Sequence, residues 1–109
     1  MPKFLILAVE TNDMFGKYSA AEMRAIEKRY YAWTKALAKK GALVDGSQLV
    51  DRRVVEANGA KPAVRTANAK ETWPGGYWMV KAKNLEAAAK LCEDCPHLDY
   101  GTVQVLQMG

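Results

Sequence analysis

Gly75-Gly76-Tyr77-Trp78-Met79-Val80 decides how this chain is read. Two glycines act as a loop breaker and are followed by a run with large side chains at every position. In a β-strand, side chains alternate between two faces, so Tyr77 and Met79 point one way and Trp78 and Val80 the other. Neither face suits water. Such a strand belongs in the middle of a sheet, covered on both sides. Phe4-Leu5-Ile6-Leu7-Ala8-Val9 has the same property and predicts a second central strand.

Between these strands the sequence predicts one secure helix. Ser19-Ala20-Ala21-Glu22 is a capping box, and Tyr18 and Met23 occupy the two positions of a hydrophobic staple. Met23, Ile26, Tyr30, Trp33 and Leu37 then recur at spacings of three and four, forming one apolar stripe. Gly41 supplies the left-handed stop. Ala42 to Val50 reads as an extended or irregular connection, broken by Asp45-Gly46. Arg52 to Ala57 reads as a strand, and Asn58-Gly59 signals a hairpin into Ala63 to Thr66. The arginines of this pair place it at a sheet edge. Asn68 to Gly76 reads as a polar loop. Asn84 caps a second helix with apolar positions Leu85, Ala88, Leu91, Cys92 and Cys95, ended by Pro96. Thr102 to Met108 is the last strand. The chain has no internal repeat or low-complexity segment.

The resulting order is β-α-β-(β)-β-α-β, with the Arg52 strand and its hairpin taken as the second principal strand. A ferredoxin-like α+β sheet places its first and third principal strands in the centre, where the two-faced strands belong. Both helices then cover one face. The other face keeps one large set from each central strand, for example Leu5, Leu7 and Val9 beside Tyr77 and Met79; which set faces the helices stays open. Each such side chain contributes roughly 1.5–3 kcal/mol if buried, and together they exceed the patch a monomer usually exposes. This predicts a homodimer that stacks sheet on sheet, of the dimeric α+β barrel kind.

The chain has 109 residues, enough for a single domain with its own core. No apolar run approaches the roughly 18 residues of a membrane span, and the first apolar run meets Glu10 without a cleavage site, so a cytoplasmic protein is expected. Two cysteines make no disulfide framework, which agrees with a reducing compartment. The net charge of +4 originates between Ser19 and Lys40, where six basic residues outnumber two acidic ones. A solvated helix face accounts for it better than an anion-binding patch.

Several stretches together resemble the YCII-related (DGPF-domain) family of small bacterial proteins. They are Phe4-Leu5-Ile6-Leu7, Ser19 to Met23, Leu37 to Leu43, the run from Gly75 to Val80, Leu85-Glu86-Ala87-Ala88, Cys95-Pro96 and Thr102-Val103-Gln104-Val105. The resemblance spans nearly the whole chain and implies the same dimeric ferredoxin-like barrel. The Asp-Gly-Pro-Phe segment of one branch is replaced by Val64-Arg65-Thr66-Ala67-Asn68. The other branch has a proposed catalytic His–Asp pair, whose positions hold Tyr30 and Cys95. Tyrosine and cysteine have ordinary pKa values above about 8 and cannot replace that pair at neutral pH. The resemblance thus implies the family's cleft without its proposed acid–base groups.

Four residues are candidates for lining that cleft: Tyr30, Trp33, Cys95 and His97. Tyr30 and Trp33 are first of all core residues of an amphipathic helix, but each has a polar atom that wants a partner. His97, the only histidine, reads as a surface or helix-capping residue, or as a proton carrier at a cleft edge. Cys92-Glu93-Asp94-Cys95 has redox spacing but lies at the wrong end of a helix for thiolate activation, so buried thiols are expected. With one histidine the chain offers no full zinc set, and neither a metal nor a cofactor is expected. Trp73 reads as a surface anchor. The same βαββαβ order occurs in RNA-recognition motifs, which stack bases on aromatics of the central strands. Here Met79 stands where a second aromatic belongs, and the basic residues lie on a helix, so nucleic acid is not the expected partner. The leading reading is a homodimer with a small-molecule cleft, whether it binds or also transforms its ligand. The alternative is a structural or regulatory partner-binding module.

Overall fold

A computed structural model describes residues 1–109. The elements are β1 (Lys3–Thr11), α1 (Ala20–Lys39), β2 (Leu43–Gln48), β3 (Val54–Asn58), β4 (Lys61–Arg65), β5 (Thr72–Lys81), α2 (Leu85–Leu91), a 3-10 turn (Pro96–Asp99) and β6 (Thr102–Gln107). One antiparallel sheet has the order β2-β5-β1-β6, and β3 and β4 form a separate two-stranded sheet. The chain is thus α+β and ferredoxin-like with an extra hairpin. Its central strands are the two that carry apolar side chains on both faces. The sheet is open, and no closed barrel forms within one chain.

Capping explains where α1 starts and stops. Ser19 Oγ accepts from the Glu22 amide at 3.1 Å and Glu22 Oε1 accepts from the Ser19 amide at 3.0 Å, satisfying two donors that have no partner within the helix. At the other end Gly41 takes φ +74°, where a side chain would be strained. The buried positions Ile26, Trp33 and Leu37 lie on the expected stripe.

The second principal strand differs from the sequence reading. It is β2, from the segment expected to be an extended or irregular connection, and the Arg52 region contributes only to the separate hairpin. Leu43–Gln48 has little strand character of its own and is mostly exposed, so pairing with β5 is what makes it a strand. The hairpin itself forms as expected, with Gly59 at φ +64°. β5 also begins earlier than expected, at Thr72, so Pro74, Gly75 and Gly76 lie in a strand. Ala8 pairs with Gly76 and Val9 with Pro74, which leaves Gly75 as the extra residue of a bulge. Finally, α2 stops at Leu91, well short of Pro96; Cys92 is its C-cap and Cys95 precedes the 3-10 turn.

Burial settles which set faces the helices. Phe4, Ile6 and Ala8 of β1 and Trp78 and Val80 of β5 are buried, together with Trp33, Leu37, Ala88, Cys92 and Cys95. The opposite face presents Leu5, Leu7, Tyr77 and Met79, paired across strands as Leu5–Met79 and Leu7–Tyr77. No element of the chain covers it. The molecule measures 47 × 40 × 18 Å, the thickness of one sheet plus one helix layer. Its radius of gyration of 15.7 Å exceeds the roughly 13 Å expected for a compact domain of about this size.

Candidate functional site

The helix face of the sheet is not filled evenly. Trp78 packs edge-on against Trp33, with ring centroids 4.9 Å apart, and its indole N–H donates to Thr34 Oγ1 at 2.8 Å. Trp33 donates to Asp94 Oδ1 at 2.9 Å, so both buried indoles have partners. Directly beside Trp78, β2 presents Gly46, and one step further along the strands the helix-facing pair of β1 and β5 is Ala8 and Gly76. None has a side chain larger than a methyl group. The short α2 packs toward β6, at the other side of the sheet. Space is therefore left between α1 and the β2–β5 corner, as an open cavity of about 930 Å³. That is the size of a small-molecule site. Glycines within a strand often mark such an approach, and Gly75-Gly76 was the local signal for it.

Polar groups converge at the inner end of this cavity. Tyr30 and His97 both line it, as does Glu10. Tyr30 Oη lies 2.8 Å from His97 Nδ1, and His97 Nε2 lies 2.7 Å from the Val9 carbonyl oxygen. A carbonyl can only accept, so Nε2 carries the hydrogen and donates it. In the neutral ring Nδ1 is then an acceptor, and the Tyr30 hydroxyl donates to it. His97 is 1% exposed, not the surface or capping histidine expected as its plainer reading. Its two bonds link the 3-10 turn to α1 and to the end of β1, contacts 67 and 88 residues apart in sequence. Arg29 and Asp99, paired at 2.7 Å on the surface, join α1 to the same turn.

Burial dominates the electrostatics of the group. It lowers the His97 pKa below its ordinary 6.5, partly offset by the bond to Val9, so the ring is neutral at pH 7. Burial also raises Tyr30 far above the phenol range, with Cys95 and Glu10 adding to the effect, so its hydroxyl keeps its proton. Glu10 is raised by burial as well. Its side chain occupies the space that a Cβ on Gly75 would need. The arrangement is a neutral imidazole base behind a tyrosine hydroxyl, with a carboxyl group on the same wall.

The four sequence candidates do not all meet at the cavity. Tyr30 and His97 are in direct contact on its wall. Trp33 is 7% exposed and lies behind Trp78 in the core, and Cys95 is 3% exposed; neither lines the cavity. Both cysteines are free and buried, with burial pushing Cys95 up to about 11 and Cys92 up to about 12. At neutral pH both are thiols. No group of three or more His, Cys, Asp or Glu side chains is placed to hold a metal ion. Trp73 is half-buried in β5 with the Arg52 guanidinium 5.0 Å above its ring, pinning the hairpin base to the sheet. The residues that sequence reasoning missed are Glu10, Thr34, Gly46 and the Val9 carbonyl.

The family model described as the YCII-related domain matches residues 3–108 of this 109-residue chain. The chain belongs to the YCII-related family. No curated protein matches it. This YCII-related chain has Tyr30 on α1 and Cys95 just before Pro96. Its single histidine lies two residues beyond Cys95 and contacts the helix tyrosine directly. No helix is long and apolar enough to cross a membrane.

Proposed function

We propose that this YCII-related protein binds a small molecule with a planar, partly apolar body in the cavity between α1 and the β2–β5 corner. The observation that carries the reading is the pairing of a glycine-walled cavity of about 930 Å³ with the Tyr30–His97 contact at its inner end. Tyr30, Trp78 and Phe15 offer aromatic surface along the walls. The reading covers binding alone and binding followed by proton transfer, since a neutral base sits one hydroxyl behind the cavity.

The working form is a homodimer joined through the open sheet face. Leu5, Leu7, Tyr77 and Met79 form its centre, and Leu106, 43% exposed, extends it along β6. A thickness of only two layers and an uncovered apolar face support this assembly. Stacking two such faces gives the dimeric α+β barrel. The free thiols favour a reducing, cytoplasmic setting. The same face would be occupied by the partner copy, which argues against its use for stacking nucleic-acid bases.

A thermal-shift screen of planar, metabolite-sized compounds tests the binding reading. At least one is expected to raise the melting temperature and to perturb the NMR signals of Tyr30, Trp78 and His97. A screen whose hits all map to Leu7 and Met79 on the opposite face would refute it.

A further inference from the structure

We infer that the cavity selects ligands that present an N–H or O–H donor to Tyr30, rather than a carbonyl or other acceptor. The inference rests on the cavity being a ligand site, as proposed above, and adds the polarity of its recognition group. A tyrosine hydroxyl alone is indifferent, because it can donate or accept. Here the choice is fixed by a chain of two bonds. The Val9 carbonyl can only accept, at 2.7 Å from His97 Nε2, so the imidazole hydrogen resides on Nε2. Nδ1 is left as an acceptor 2.8 Å from Tyr30 Oη, and the hydroxyl hydrogen is committed to it. What Tyr30 still offers is an oxygen lone pair, made a better acceptor by the bond its hydrogen already makes.

The surroundings hold this polarity in place. Val9 sits where the β1–β6 pairing ends, at the Val9–Thr102 pair, so its carbonyl direction is set by the sheet. His97 is 1% exposed, and Gly101 closes over the bond with no room for a side chain: a Cβ there would come within 2.4 Å of the Val9 oxygen and 3.0 Å of His97 Nε2. The carbonyl is thereby held against Nε2, which keeps the ring in this tautomer. Glu10, on the same wall, adds a second acceptor. A ligand carrying two donors on an aromatic or other planar body matches both groups.

The test uses 2-naphthol and 2-methoxynaphthalene, which share a ring but differ in having a donor or only an acceptor. Binding is measured by calorimetry to the wild-type protein and to Tyr30→Phe. We expect 2-naphthol to bind about two- to tenfold more tightly, the range of one net hydrogen bond. That preference should vanish in Tyr30→Phe, whereas any penalty from the bulk of the methyl group would persist. Long-range ¹H–¹⁵N correlation on the wild type reports the tautomer independently, and Nε2–H is expected. Equal binding of the two probes, a preference retained in Tyr30→Phe, or an Nδ1–H tautomer would each overturn the inference while the cavity reading stands. Binding of neither probe would overturn the cavity reading together with it.

Discussion

Gly101→Ala puts the Val9–His97–Tyr30 chain under a direct mechanical test. The glycine is not there for its backbone angle, since only Gly41 and Gly59 have positive φ. It is there for space. An added Cβ would stand 2.4 Å from the Val9 carbonyl oxygen, closer than real contacts allow, and 3.0 Å from both His97 Nε2 and Met14 Cε. Met14 can swing away; a carbonyl fixed in β1 cannot. Overpacking against fixed neighbours costs about 1–3 kcal/mol. Pushing Val9 O away from His97 Nε2 adds about 1 kcal/mol for the strained bond. Alanine stiffens the unfolded chain and returns about 0.4–1 kcal/mol. The net loss is about 1–3.6 kcal/mol, or about 4–14 °C in melting temperature at roughly 4 °C per kcal/mol for a domain of this size. Urea and thermal unfolding measure it, with Gly76→Ala as the control, because its Cβ would meet Ser47 O at an ordinary 3.4 Å. A Gly101→Ala protein no less stable than Gly76→Ala would refute the reasoning that this carbonyl and imidazole are locked together.

Two further expectations concern charge and assembly. The His97 pKa is lowered in the folded state by burial, so the unfolded chain binds a proton more readily. Its contribution is therefore full above about pH 6.5 and is lost as pH falls below that value. Glu10, raised by burial, acts in the opposite sense at lower pH, so the His97 slope is read by difference between wild type and His97→Gln from pH 7.5 to 5.5; identical slopes would contradict the buried, neutral ring. For assembly, light scattering should give twice the 12.1 kDa chain mass, and Met79→Lys, in the centre of the open face, should give the single-chain mass. A wild-type monomer would end the argument from the uncovered sheet.

The elements that could be read from sequence were those whose signals are local. The Ser19–Glu22 box lies within one turn, and the Tyr77–Val80 and Phe4–Val9 runs declare their two apolar faces without reference to anything else. β2 was illegible because it has no such signal. Leu43–Gln48 contains an Asp-Gly pair and exposes nearly all its side chains, and only the neighbouring β5 makes it a strand. The Arg52–Arg65 region carries more strand character, yet it stands apart from the sheet. Arg65 is held by Glu56 and Glu71, and Arg52 by the backbone of Glu71 and Thr72, so side chains rather than ladder bonds tie the base of the hairpin to the start of β5. Strand propensity and sheet membership are separate properties here.

The candidate site divides along the same line. Tyr30 follows from the helix stripe, because a tyrosine at that position must bring its hydroxyl to the sheet side. His97 does not follow, because nothing near it in sequence distinguishes a surface histidine from a buried one. Its environment comes from Val9 and Tyr30, far away in the chain. The two glycines of β5 were visible, and what they meant depended on whether they preceded the strand or lay inside it. As a loop breaker, Gly75-Gly76 says only where a strand begins. Inside the strand, Gly75 makes the bulge and yields its space to Glu10, and Gly76 leaves the corner opposite Ala8 empty. The bulky half of that stretch builds the wall between two layers. Its small half leaves open the cavity that Tyr30 lines.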